Sequence, residues 1–540
     1  MPRRPTRMHQ RTIALTAAIL LTLFALSLGL AWLSNAYQSL DGWTSYLVAL
    51  LLGAGLLWGG WLALRKEHFP RSLVMLVAFA ALLRLAAGAL WYSALPAWGY
   101  ASPAELRGYV MADAYDRDRA AFELAQSGKP LWKAYQGSYH RADQYGGMLY
   151  LSAGLYRYAG GSLHQPLLVV VITAAFSALG VLFLWAFARR AWEESVAWLA
   201  AWALALFPEA VLLGSSQMRE AFIITLFIVA FYGLVRYWRD RSWSGPAWIL
   251  AALLLCMPLS PPAAGLLMAS LAILGIFLHD DLLQVRFTRS RWLWVGLGVL
   301  ALLIIAGIGL AWGQITPEGM SNPLDVIRWW VKKSAEWQAH LSERASGKIQ
   351  AIFDRTPDWL HLPMLIVYGV VQPLLPAALV DVTSTIIWRL INIWRAVGWT
   401  ALLALLLYAP LLAWKRVGER RVARALTVIV WLVILIASYR SGGDMWDNPR
   451  YRAMLVGLQI ALAAWTWIEY RRTADAGLRR LLVGIGLILV WFLPWYLMRY
   501  VHLPWPVTDE IKVLGLGIAS AALYWIWDWA GSDKKEVGEG

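Results

Sequence analysis

The chain has 540 residues, of which 60% are hydrophobic and 15% charged, with a formal net charge of +15. That balance is too apolar for a water-soluble surface and excludes a string of ordinary globular domains. Its one cysteine, Cys256, lies inside an apolar run, which excludes a disulfide framework and a thiolate zinc site built from this chain alone.

Crossing about 30 Å of hydrocarbon takes roughly twenty apolar residues as a helix. Suitable runs occur at 12–34, 43–64, 72–93, 166–187, 196–213, 221–235, 292–313, 398–414, 425–438, 453–469, 481–499 and 510–529. The stretch 247–278 is too long for one span, and Pro258, Pro261 and Pro262 interrupt it, so it is expected to fold as a tight pair. The fold class is therefore an all-α polytopic membrane protein with about fourteen crossings.

Basic residues set the orientation. With the N-terminus inside, the segments expected on the cytoplasmic side carry 26 of the 48 Lys and Arg residues. The positive charge thus reads as topology, and no nucleic-acid partner is implied. The leader from Arg3 to Arg11 reads as a retained cytoplasmic tail, and both termini are expected in the cytoplasm. Two long segments, 94–165 and 314–397, then fall outside, together with the short loops 214–220, 439–452 and 500–509. Four regions follow: an N-terminal transmembrane pair (1–66), a catalytic transmembrane module (67–313) with its outer loop 94–165, an outer-face segment (314–397), and C-terminal transmembrane helices (398–540).

In the first outer loop, Ser102, Pro103 and Glu105 spell a helix start, a capping hydroxyl followed by a carboxylate three residues on. Asn322, Pro323 and Asp325 spell another. From there Leu324, Ile327, Val331, Ala335 and Leu341 make a narrow apolar stripe that suits the membrane surface. The run 364–380, with Pro373 and Pro376, predicts a re-entrant or interface-lying piece instead of a span.

Charge inside a span is costly, so the exceptions carry information. Arg84 lies past the middle of its span, placed to reach the outer interface, and Glu209 lies near the outer end of 196–213. Just beyond 72–93, "MADAYDRDRAAFELAQSGKP" holds Asp113, Asp116 and Asp118 among Arg117 and Arg119. On a helix Asp113 and Asp116 share a face, and a carboxylate there can take a proton from an acceptor hydroxyl. The bland alternative is a solvated face laced with local ion pairs. "FPEAVLLGSSQMRE" sets Arg219 and Glu220 at the outer surface, where Glu220 also suits a helix dipole. "SYRSGGDMWDNPRYRAML" gathers Arg440, Asp444, Asp447, Arg450, Tyr451 and Arg452, either an anion-binding set or ordinary interfacial anchors. "YHRADQYGG", with His140, Asp143 and Gln144, is a weaker group.

In this order and on one membrane face, these segments resemble the multi-span glycosyltransferases of the GT-C superfamily, such as the protein O-mannosyltransferases and aminoarabinose lipid A transferases. "RLAAGAL", "DAYDRDRAAFELAQSGKP", "YGGMLYLSAGLYRYAGG", "FPEAVLLGSSQMRE" and "NPRYR" carry the resemblance, chiefly over 72–313. It implies a membrane glycosyltransferase, hexosyl- or pentosyl-, of the cell envelope. Such an enzyme uses a polyprenyl-phosphate-linked sugar at the outer face of the cytoplasmic membrane and transfers it with inversion to a glycan, lipid or protein acceptor. The catalytic acid maps to Asp113, with Asp116 competing and Glu220 nearby. Arg84, Arg219, Arg450, Tyr451, Arg452 and His140 are the candidate contacts to substrate and membrane lipid. No cofactor and no metal ligand are assigned, and a divalent metal is left open. Competing readings are an oligosaccharide polymerase or ligase using lipid-linked glycans, suggested by 314–397, and a lipid or solute transporter. Against the last, the spans are nearly free of charge.

Overall fold

The computed structural model describes residues 7–278, scattered positions between 316 and 329, and 354–415, 420–442, 444, 447–473 and 476–538. The expected span 292–313 and the helix after residue 329 lie outside these residues. Among the described residues there is helix and no strand. This all-helical, multi-pass architecture is what the apolar periodicity demands.

Numbered over the described residues, the helices begin with α1 (Arg7–Leu33), α2 (Leu40–Leu64) and α3 (Arg71–Trp98). Then come α4 (Ala112–Gln126), α5 (Gly147–Tyr158), α6 (Leu167–Ala191), α7 (Glu194–Leu206), α8 (Pro208–Gly214) and α9 (Arg219–Asp240). Next are α10 (Ser244–Leu259), α11 (Pro261–Phe277), α12 (Asp358–Val371), α13 (Leu375–Val380), α14 (Ile386–Lys415) and α15 (Arg421–Ser441). The last are α16 (Asp447–Ala453), α17 (Val456–Thr473), α18 (Ala476–Val501) and α19 (Glu510–Gly538).

Nine described helices are long and apolar enough to cross a membrane, or 11 if each of two bent pairs counts as one span. The count of fourteen is not reached for identifiable reasons. Residues 196–213 break at Phe207, which is extended (ψ 129°) because the residue before a proline is pushed out of the helical region. Residues 453–469 belong to the second bent pair, with α16 turned 73° from α17. The expected pair in 247–278 is there as α10 and α11, with Ser260 between them, but each is shorter than a full span. The run 364–380 is likewise two short helices, α12 and α13, parted at Gln372 and Pro373.

The chain divides into two compact units. Unit 1 comprises Met1–Phe183, Ala210–Leu226 and Leu254–Pro261, and unit 2 comprises Leu184–Glu209, Phe227–Leu253 and Pro262–Gly540. In unit 1, α2 starts on Ser39, whose hydroxyl accepts from Gly42 N and covers a donor the helix leaves open. Unit 1 also holds the polar helix α4. It turns Ala114, Arg117, Asp118, Ala121, Leu124 and Ala125 inward at helical spacing and sends its other charges out. In unit 2, the final helices present Leu523, Ile526, Trp527 and Trp529 outward, a surface for lipid and not for water.

The two helix starts read from the sequence form as capping motifs. Ser102 N donates to Glu105 Oε2 (3.0 Å) and Glu105 N to Ser102 Oγ (3.3 Å), a reciprocal box. It opens only one tight turn, Glu105–Arg107, since the chain reverses at Gly108 in the left-handed region (φ 80°). A Cβ at Gly108 would also lie 2.7 Å from Tyr92 Cα, so glycine is needed on both counts. Asn322 Oδ1 accepts from Leu324 N at 3.1 Å, as the second start requires.

Candidate functional site

The loop after α3 and the start of α4 bring the first acidic motif onto a helix in unit 1. Asp113 occupies its first turn, where a carboxylate offsets the exposed N–H groups, and both Asp113 and Asp116 are exposed. Arg117, one helical turn after Asp113 on the same face, is buried. Its Nη1 donates to Gln217 O (3.1 Å), and its Nε lies 3.8 Å from Asp143 Oδ1.

Asp143 is the centre of this group. Its Oδ2 accepts from Leu149 N (3.0 Å) and caps the first turn of α5, while Oδ1 faces Arg117 and also Arg219, whose Nη1 is 3.9 Å away. These spacings are ion-pair contacts too long for hydrogen bonds, and Asp143 Oδ1 and Arg117 Nε are buried without a hydrogen-bond partner. Arg219 also has its Nε 3.7 Å from Glu220 Oε1 and its guanidinium over the Tyr145 ring at 5.0 Å. Burial pushes the Arg117 guanidinium below its ordinary value, and the Asp143 carboxylate works in the opposite direction. Two guanidiniums, two buried carboxylates and an exposed carboxylate one turn away thus share one face of unit 1. The glycine that opens α5 helps: a Cβ at Gly147 would lie 2.1 Å from Pro258 O, so only glycine lets that helix start so close.

A second knot forms around the next residue of α4, turned by about 100° from Arg117. Asp118 is fully buried and accepts from Tyr109 OH (2.6 Å) and Tyr156 OH (2.8 Å to Oδ1), and His164 Nε2 lies 2.7 Å from Oδ2. Burial first, and the Asp118 charge next, drive both phenols well above the ordinary tyrosine value. Between α3, Tyr109 and the loop 215–217 lies a small cleft walled by Trp91, Tyr92, Val170 and Ser216. Trp91 Nε1 donates to Ser215 Oγ there at 2.9 Å.

The remaining sequence candidates divide between the units. Arg84 has its polar partners inside the helix packing. It is fully buried in unit 1, donating from Nε to Ser177 Oγ (3.0 Å) and from Nη1 to Ala80 O (3.0 Å). The reason is packing: Gly214 leaves room for its stem, where a Cβ would come within 2.8 Å of Arg84 Cδ. His140 Nε2 lies 3.3 Å from Tyr135 O on the loop. In unit 2, Arg452 is buried with its guanidinium 3.3 Å above the Trp399 ring, and Asn448 Nδ2 donates to Gly369 O (2.8 Å) and Gly442 O (2.6 Å). Arg450 is half-buried, 3.9 Å from Asp447 Oδ1 and over the Tyr451 ring at 5.6 Å.

Sequence reasoning undervalued Asp143 and missed His164. The first has no charged neighbour at helical spacing that would mark it as a centre, and the second is 46 residues from the carboxylate it meets. Among the described residues no group of three or more His, Cys, Asp or Glu side chains is arranged to hold a metal ion.

A family model described as "Predicted membrane protein (DUF2142)" matches residues 116–437, a range that contains Arg117, Asp118, Asp143, Arg219 and Glu220 but neither Asp113 nor Arg450. Among solved structures the chain is similar to the archaeal oligosaccharyltransferase AglB from Archaeoglobus fulgidus, solved in complex with an inhibitory peptide and a dolichol-phosphate. The identity is 14% and the TM-score 0.39, over 83% of this chain and 56% of that one. The present chain thus spans little more than half the length of that structure. Among curated proteins none matches the sequence.

Proposed function

The chain belongs to the family of predicted membrane proteins designated DUF2142, and from that premise we propose that it is a GT-C-type glycosyltransferase working at the outer face of the cytoplasmic membrane. It moves a hexosyl or pentosyl group from a polyprenyl-phosphate donor to a hydroxyl of a glycan, lipid or protein acceptor, with inversion.

The observation that carries this reading is the Arg117, Asp143, Arg219 and Glu220 cluster with Asp113 one turn away. A donor phosphate needs forked N–H groups to stabilise the charge it gains as the sugar leaves, and Arg117 and Arg219 supply two guanidiniums. Both are held beside Asp143 by contacts longer than hydrogen bonds, so their donors are not committed to it. The acceptor hydroxyl must lose a proton as it attacks, and the exposed side chain of Asp113, one turn from Arg117, is the carboxylate we assign to take it.

The test is transfer by the purified full chain, with polyprenyl-phosphate hexoses and pentoses as donors and envelope glycolipids as acceptors, read by mass spectrometry of the products. Asp113→Asn keeps shape and hydrogen bonding but cannot accept the proton, and should cost roughly 10²-fold or more in rate with donor binding retained. Full activity in that variant, with loss in Asp116→Asn, would move the base by about one helical turn. Normal rates in both would take α4 out of the chemistry.

A further inference from the structure

Resting on the reading above, we propose that Asp118 is a positioning residue: it fixes the rotation of α4 about its axis and so the aim of Asp113. Its carboxylate gathers three partners from three separate pieces of chain, Tyr109 before α4, Tyr156 on α5 and His164 beyond α5, at 2.6–2.9 Å. The Asp118 side chain has no exposure at all, and the buried Tyr109 and Tyr156 shield their bonds to it from competing water, while His164 closes the knot from the exposed side. A buried carboxylate left short of donors would be costly, which makes the full set a strong constraint.

The neighbouring residue ties the helix at a second azimuth. Successive residues are turned by about 100° around a helix. Arg117, offset by that angle from Asp118, donates from Nη1 to Gln217 O, which ties this second side of the helix. A helix pinned on two sides by adjacent residues cannot roll without breaking one set. Asp113, in the first turn on the Arg117 face, inherits its direction from both. The raised phenol values keep Tyr109 and Tyr156 protonated, so both remain donors wherever the protein is folded near neutral pH. His164 adds the outermost bond, with its ring between Phe122 (centroids 4.8 Å apart) and Tyr156 (5.6 Å).

The experiment compares Asp118→Asn and the milder Tyr109→Phe with wild type in lipid nanodiscs, measuring kcat and the donor KM separately. Misaiming the base by a fraction of an ångström should lower kcat between roughly tenfold and 10²-fold for Asp118→Asn and less for Tyr109→Phe, with the donor KM unchanged. An unchanged kcat, or a raised KM at constant kcat, overturns the proposal while leaving the glycosyltransferase reading intact. If wild type transfers no sugar from any donor, that reading fails instead, and hydrogen exchange then decides the positioning role. Faster exchange across residues 113–118 in both variants supports it, and wild-type exchange there overturns it.

Discussion

Arg395 Nε donates to Glu209 Oε1 across 3.1 Å, and both side chains are buried within unit 2. Removing one partner of a buried pair leaves the other charge in a medium that solvates it poorly, at a cost of about 3–5 kcal/mol. Glu209→Ala should therefore lower the thermal unfolding midpoint in detergent strongly. The double change Glu209→Leu with Arg395→Met should recover most of it, because an apolar pair of similar volume needs no solvation. A double variant as unstable as the single one would mean that the pair holds more than itself.

Arg219 and Arg452 should respond differently to lysine. An ammonium keeps the charge but loses the forked geometry, so Arg219→Lys should weaken donor use by about tenfold. Arg452 lies over Trp399 and donates to Gly369 O at 3.4 Å, so its substitution should cost folded protein instead. Donor titrations beside size-exclusion yields separate the two outcomes. A donor-specific defect in well-folded Arg452→Lys would return that residue to the list of ligand contacts.

The tyrosine knot should make stability fall in alkali. Tyr109 and Tyr156 have folded values raised above the ordinary one, so their contribution is whole below about pH 10 and is lost as pH rises from there through the folded values. Unfolding midpoints measured from about pH 8 to pH 11 should drop for wild type. The drop should be shallower for Tyr109→Phe and Tyr156→Phe together, which carry no phenol at the site. Parallel curves would place the titration elsewhere.

Topology can be read by labelling. With Cys256 replaced by serine, a cysteine at exposed Ser138 should react with an impermeant thiol reagent in intact cells, and one at exposed Arg471 should react only after permeabilisation. Ser441 makes a poor probe of the loop 439–452, since it is buried and a thiol there would be shielded on either side. Reversed labelling would put α4 in the cytoplasm and end the outer-face reading.

The sequence by itself determined the solvent of this protein. A long apolar run decides a span because a helix satisfies its own backbone groups in hydrocarbon, and that rule needs no tertiary information. Caps were legible for the same reason: Ser102 with Glu105, and Asn322 with Leu324, act over two or three residues. How far each helix then ran was not, because Gly108 and Phe207 break the chain through backbone geometry and close approach. The Asp113 motif could be found from its charge, but which of its charges turn inward depended on partners far along the chain. Arg117 meets residue 217, and Asp118 meets residue 164. Arg84 was readable as unusual, but its full burial was not, since a glycine 130 positions later leaves space for its stem. Local rules of composition, periodicity and capping act between near neighbours, whereas a buried charge is stable only where the fold brings it a partner, and that is settled by packing alone.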